Sequence, residues 1–508
     1  MHHPSGPWAN KNTVHIVGAG FAGLSAACFM AKAGWSVTVF EKLDCPGGRA
    51  RNLKTGGFTF DMGPSWYWMP DVFERFFAEF GKTTEDFYKL KRLDPSYRVY
   101  WKDDFTDIPA GPVPVVDLFE TIEPGSGVRL LKFLRDAGIK YREGMKMAYQ
   151  PSLSVGEFFS MRMLRSAMGL NLFSSIQKYI HQSFTNPKLR MLLEFPSLFL
   201  GALPAQTPAL YSLMNYADIV LGTWYPKGGL SRVAESMYEL ALSLGVNFNF
   251  NEPVSSLKID AGEIRNIVTD QGEYEAEMVI SAADYQFTET LLPVKYQSYS
   301  AGYWDQRKMA PSCLLYYIGL NKKIPQLQHH TLFFDESFDA HGHEIYEDPQ
   351  WPHKPLFYMS APSVSDSSVA PPGCENIFLL IPVSAGLEGD TEELREKYFQ
   401  LVMDRLENRM GESIRDAVIV KKTFAINDFK EVYNAYKGNA YGLANTLGQT
   451  AFLKPRCRSK KVNNLFYCGQ LTVPGPGVPP ALISGEIVAL EVLKTNPEKK
   501  PDYDFNLS

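Results

Sequence analysis

Six residues near the start, Gly18-Ala19-Gly20-Phe21-Ala22-Gly23, constrain the fold more than any other feature of the chain. Ahead of them runs Thr13-Val14-His15-Ile16-Val17, short and β-branched, which reads as a buried parallel strand. Behind them a helical run extends from Leu24 to about Ala33, Gly34 ends it, and Ser36–Phe40 forms a second strand that finishes at Glu41. In such a βαβ unit each glycine has its own duty. Gly18 allows the tight turn, Gly20 lets a pyrophosphate approach the backbone, and Gly23 permits close packing of helix on strand. Amides at the helix start, among them those of Ala19, Phe21 and Ala22, are placed to hold phosphate oxygens. Glu41 would accept hydrogen bonds from ribose hydroxyls, and its charge disfavours a 2′-phosphate. Lys42 follows it as a further candidate contact.

The same theme returns twice. A second α/β signature begins near Tyr225, with Pro226-Lys227-Gly228-Gly229, a helix from about Ser231 to Leu244, and strands near Val246–Phe250 and Glu263–Thr269. Gln271-Gly272 signals a hairpin, and Met278–Ser281 reads as another buried strand. The C-terminal stretch supplies strand Asn464–Cys468, a Gly/Pro turn through Pro480, and helix Ala481–Lys494. Between these lie a mixed segment with a helix near Val128–Ala137, an apolar helical stretch from Ser154 to about Leu200, and mixed strands and helices over 300–455. The predicted class is α/β. A Rossmann-like dinucleotide-binding domain is assembled from residues 12–81, 225–299 and 460–495. A discontinuous α+β substrate domain takes 82–224 and 300–459.

FAD and NAD share the glycine fingerprint, so the residues after Glu41 decide between them. Cys45-Pro46-Gly47-Gly48-Arg49-Ala50 comes directly after that strand. A G-G-R at this spacing resembles the flavin-containing amine oxidase superfamily, in which it continues the FAD pyrophosphate site. Gly48 permits close backbone approach, and Arg49 supplies cationic donors. Within that superfamily, Phe58-Thr59-Phe60-Asp61-Met62-Gly63-Pro64 is similar to the bacterial-type carotenoid (phytoene) desaturases. So are Trp224–Gly229, Ser281-Ala282-Ala283-Asp284, Asn434–Tyr441 and Cys468-Gly469-Gln470 through Gly485. The resemblance covers Thr13 to about Leu493. It implies FAD contacts at Gly63, Pro64, Gly469, Gln470, Gly477, Val478 and Pro479, and an adenine contact through the backbone of Val254. Many relatives carry an acidic or small residue where this chain has Gln470. Helix-start amides after the Gly/Pro segment favour negative charge at the flavin edge as the ring is reduced.

What the resemblance implies for function is desaturation of a long apolar carotene. A hydride passes to flavin N5 and the adjacent carbon loses a proton, making a double bond. Oxygen or a quinone would reoxidise the flavin. Related activities on the same scaffold stay open: a hydroxycarotenoid desaturase, a carotene isomerase or a retinol-saturase-like reductase, and, more distantly, a non-catalytic flavin- or carotenoid-binding protein. Glu157 is the candidate base, because a carboxylate in a hydrocarbon tunnel has a raised pKa. Ser154-Val155-Gly156-Glu157 is equally a capping box, a role without chemistry. No lysine stands out beside flavin N5, which favours a hydrocarbon substrate.

Composition sets the remaining bounds. Aromatic residues make up 13% of the chain and come with 17 Met, enough to line a large apolar cavity or to build a large core. Lys plus Arg number 51 against 56 Asp plus Glu, a net charge of -5 that argues against a nucleic-acid partner. The six cysteines form no C-x-x-C and give no sign of a disulfide framework, so a reducing, cytoplasmic-side compartment is expected. No H-E-x-x-H, Ser-His-Asp pattern or P-loop is present, no metal site is expected, and His329-His330 and His341-Gly342-His343 read as packing or loop histidines. The N-terminus lacks the basic and apolar regions of a secretory signal, and no stretch approaches the ~18 apolar residues of a membrane span. A carotene cannot cross water as a monomer, so peripheral association with a membrane surface is expected. Its candidate entrance is the helical, membrane-facing segment from Glu157 to about Phe184, with Phe158, Phe159, Arg162 and Arg165.

Overall fold

The computed structural model describes residues 12–151, 174–446, 448–450 and 453–495. Three distant stretches of sequence combine into one sheet. Its five strands lie in the order Leu465–Tyr467, Met278–Ser281, Thr13–Val17, Ser36–Phe40, Asn247–Asn249, and every neighbouring pair is parallel. Val14, Ile16, Val37, Val39 and Ile280 are all sealed from solvent, as a parallel sheet covered on both faces requires.

Helix Phe21–Lys32 is buried continuously from Phe21 to Met30. It packs against helix Leu230–Ser243 and, most closely, against helix Val478–Thr495. The second crossing is tight enough to exclude a side chain: a Cβ at Gly485 would stand 2.2 Å from the Ala22 carbonyl oxygen. Ser25 Oγ donates to the Leu482 carbonyl at 2.7 Å across the same contact. The C-terminal helix begins at Val478, not at Ala481, so Pro479 and Pro480 lie in its first turn. Proline is tolerated there because first-turn amides have no helical acceptor.

Helix Ser126–Ala148 is likewise longer than the stretch Val128–Ala137 that the pattern predicts. Gly138 and Gly144 look like breaks in the sequence but serve packing: a Cβ at either would meet Tyr216 or Leu213, at 2.8 Å and 3.0 Å.

The second large sheet has seven strands, in the order Val418–Phe424, Ser312–Leu320, Glu375–Val383, Phe357–Ser360, His330–Phe333, Tyr97–Tyr100, Phe105–Ile108. All pairs are antiparallel except His330–Phe333 with Tyr97–Tyr100. Strand Ser312–Leu320 is buried throughout. Leu314, Tyr316 and Ile318 face Val402, Met403 and Leu406 of helix Glu392–Met410, while Cys313, Leu315 and Tyr317 share the other core with Phe58 and Phe378. Asp61 joins two distant segments of the dinucleotide-binding part. Its carboxyl accepts the Leu230 and Ser231 amides at 2.9 and 3.1 Å and so caps helix Leu230–Ser243 from another segment, and burial pushes its pKa up to about 7.

Candidate functional site

At the C-terminal ends of the parallel strands a cavity of about 290 Å³ opens. Gly20 caps helix Phe21–Lys32 with extended backbone and no side-chain hydrogen bond, which leaves the first amides of the helix free for a ligand. A Cβ at Gly20 would meet no protein atom within 4 Å, because it would point into the cavity. A Cβ at Gly23 would stand 1.9 Å from the Gly18 carbonyl oxygen, so that glycine is required by packing.

Glu41 is buried on the cavity wall, where its carboxylate accepts the Ala19 amide at 2.6 Å and the Leu43 amide at 2.9 Å. Burial raises its pKa, and the amides of Ala19, Leu43 and Lys42 with the charge of Arg51 oppose that rise. Lys42 Nζ reaches the Glu431 carbonyl and, at 3.4 Å, Asn434 Oδ1. Arg49 sets its guanidinium against the Tyr433 ring at 5.6 Å and donates from Nη2 to the Asn439 carbonyl at 3.3 Å. Its Nε is buried without a hydrogen-bond partner among the described residues. Burial lowers the Arg49 pKa, and the Asp284 carboxylate opposes the effect.

Segments far apart in sequence meet here. Asp284 accepts the Phe287 amide as a helix cap and also the Tyr436 amide, at 3.2 and 3.1 Å. Gln470 Nε2 donates to Asn439 Oδ1 at 2.9 Å, so this amide already serves the protein's own framework. Gly18, Gly20, Phe21, Ala22, Glu41, Lys42, Gly48, Arg49, Gly63, Pro64, Val254, Gly469, Gln470, Gly477 and Val478 all line the cavity. Ala19 and Gly23 stand behind it, one bonded to Glu41 and the other packed on Gly18. Pro479 lines a different space.

That space is a cavity of about 960 Å³, near the upper end of the usual range for ligand sites. Trp66, Trp68, Met69, Phe195, Met214, Leu332, Phe334 and Phe338 contribute to its walls. Several hydroxyls on it are paired: Tyr358 Oη with Ser65 Oγ at 2.8 Å and with His330 Nδ1 behind the wall at 2.6 Å, and Tyr211 Oη with Thr450 Oγ1 at 3.1 Å. His330 is buried and stacks on Trp66 with ring centroids 4.3 Å apart, which burial and the neighbouring His329 keep neutral. Gly63, Pro64, Leu380, Tyr441, Gly477 and Val478 line both cavities, so the two spaces abut at these residues.

Glu157 lies outside the described residues, as do Phe158, Phe159, Arg162 and Arg165. Sequence reasoning did not single out Asp284, Tyr433 or Asn439 as site residues. Asp284 carried a usable signal, since it follows a buried strand and precedes a helix in the manner of an N-cap. Tyr433 carried none, and Asn439 none beyond its place in the resembling segment Asn434–Tyr441.

Residues 21–493 match the family of flavin containing amine oxidoreductases. A carotenoid 3,4-desaturase of Haloarcula japonica is 41% identical over 481 residues, covering 94% of this chain and 97% of that protein. A zeta-carotene-forming phytoene desaturase of Myxococcus xanthus is 31% identical over 487 residues, covering 93% and 92%. Among solved structures, putrescine oxidase bound to putrescine shares the fold with a TM-score of 0.60 at 16% identity, over 96% of this chain and 99% of that one. The donor set fits FAD: a glycine cradle, a helix start without a side-chain cap, a half-buried guanidinium whose buried Nε has no partner among the described residues, and a buried carboxylate.

Proposed function

The chain belongs to the family of flavin-containing amine oxidoreductases, and from its FAD-dependent redox chemistry we propose that it desaturates a long apolar carotene in carotenoid biosynthesis. The observation that carries this reading is the junction of the two cavities. A smaller space, into which the uncapped helix start, Glu41 and Arg49 face, and a large, mainly apolar one share a wall at Gly63, Tyr441, Gly477 and Val478. FAD bound in the first, in a Rossmann-like domain, supplies the two-electron acceptor.

The chain's own residues do the rest. A carotene offers no charge, so its binding rests on apolar burial, roughly 25 cal/mol per Å². Trp66, Phe195 and Phe334 hold the hydrocarbon and exclude water, and the shared wall sets which C–H bond faces the acceptor. Glu157 is the candidate acceptor of the second proton. Expression in phytoene-producing cells, with identification of the pigments, tests the assignment. Unchanged phytoene in cells that contain flavin-loaded protein would refute it.

The protein works, on this reading, from the cytoplasmic side of a membrane surface, with oxygen or a membrane quinone as final acceptor. Among the described residues no helix is long and apolar enough to cross a bilayer. Helix Ser126–Ala148 exposes Val128, Leu131 and Ile139, at 75%, 54% and 45%, on a face that also carries exposed Lys132, Arg135 and Arg142. Residues 143–148 of the same helix line the apolar cavity, which favours this face as the lipid-side entrance. Apolar side chains flanked by cations suit insertion beneath anionic head groups. Flotation with anionic liposomes should fall for Val128→Ser/Leu131→Ser/Ile139→Ser with FAD retained. Flotation equal to wild type would move the contact to the segment around Phe158 and Arg162.

A further inference from the structure

Lys454 occupies a place that lysine seldom takes. It is 4% exposed, and its Nζ has no hydrogen-bond partner among the described residues. Beside it lies a second orphan of opposite polarity, Oδ1 of Asn445, a residue 3% exposed on the wall of the apolar cavity. Both atoms converge on Gly475. A Cβ there would lie 3.1 Å from Lys454 Nζ and 3.3 Å from Asn445 Oδ1.

Gly475 sits in the turn from Val473 to Gly477, between residues that line the apolar cavity. The turn runs directly into Gly477 and Val478, which line both cavities. The amine therefore packs on the turn that leads into the wall where the two spaces meet. No charged group among the described residues bears on it, and burial alone pushes its pKa down to about 7. An unpaired amine in such a place costs stability. It is also a reserve of charge, neutral until negative charge develops nearby.

We propose that Lys454 is the charge-compensating group of this site, taking up a proton when the flavin is reduced and releasing it on reoxidation. The inference rests on the FAD reading above. The substrate loses a hydride from one carbon and a proton from the next. Two electrons and one proton go to the flavin, which gains one negative charge, and the remaining proton is matched by one taken up at Lys454 Nζ. New negative and new positive charge then appear together, and no net charge is created beside the apolar cavity. By linkage, the coupling that holds the proton on Lys454 raises the flavin's reduction potential to the same degree.

Anaerobic redox titration of the purified holoprotein between about pH 7.5 and about pH 9 tests this. Wild type is expected to take up two protons per two electrons across that window. Lys454→Met should take up one, so that its potential varies half as steeply with pH and lies lower. Lys454→Arg, charged at every pH of the window, should keep the shallow slope with a potential at or above that of wild type. A merely structural lysine would alter flavin content or melting temperature and leave the slope alone. One proton per two electrons in wild type overturns the proposal, whatever the variants do. So does a two-proton slope in either flavin-loaded variant. Wild type that holds no flavin overturns the cofactor reading, and this proposal with it.

Discussion

The two cavities that meet at Gly63 and Gly477 are built by opposite means. The smaller one sets against its apolar residues a ring of glycines, the uncapped start of helix Phe21–Lys32, and two charged side chains held by amides and a ring. The larger one is walled by side chains from many elements, among them Trp66, Phe195, Met214, Leu332 and Phe334. Anion binding demands particular atoms at particular positions, so few residue types will serve. An apolar wall demands volume and the absence of unpaired polar groups, which many combinations supply. The first cavity should therefore fail abruptly on substitution and the second by degrees.

The sharpest break is expected at two glycines that look alike in sequence. Gly23→Val forces atoms against the Gly18 carbonyl oxygen and should abolish soluble, folded protein. Gly20→Val meets only open space, so the apoprotein should keep its melting temperature while flavin content falls below about a tenth of wild type. Flavin absorbance beside thermal unfolding separates the two. Equal loss of fold in both variants would show that Gly20 is structural.

Glu41→Ala removes an acceptor from the Ala19 and Leu43 amides as well as from the ligand, and should weaken FAD by about 1–3 kcal/mol. Equilibrium titration of the apoprotein with FAD measures it, and an unchanged dissociation constant would remove Glu41 from the site.

Lys454 packs on the turn that leads into the wall between the cavities, and its effect has a definite sign. The unfolded chain holds this proton up to an ordinary lysine's 10.5, the folded one only to about 7. Between those values the unfolded state binds more protons, so the group makes stability rise with pH. Lys454→Met should remove about 2 kcal/mol of that rise between about pH 7 and about pH 9. Thermal unfolding at saturating FAD reads it, and parallel pH profiles would mean that the amine is not buried in solution.

The smallest effects are expected in the apolar wall. Met214→Ser, which adds a hydroxyl and removes apolar area, should raise KM several-fold with flavin content unchanged. Leu332→Met keeps volume and should alter turnover by less than about twofold. A large loss from Leu332→Met would mean that this wall has the strict geometry of the other cavity.

The sequence by itself determined the βαβ unit, the close packing at Gly23 and the family, and it marked Gly18, Gly20 and Glu41 as candidates for the ligand. These rest on backbone chemistry over short stretches of chain, where residue type and spacing leave little freedom. The tertiary structure alone decided which distant segments meet. It joined Asp284 to the Tyr436 amide and Asn439 to both Arg49 and Gln470, and it closed helix Leu230–Ser243 with a carboxylate from Asp61. It started the last helix at Val478 and carried helix Ser126–Ala148 past two glycines, because packing against Tyr216 and Leu213 outweighs local propensity. It also buried Lys454, which in sequence is an ordinary lysine in a loop. Burial and the absence of a partner are properties of everything around a residue, and no local pattern encodes them.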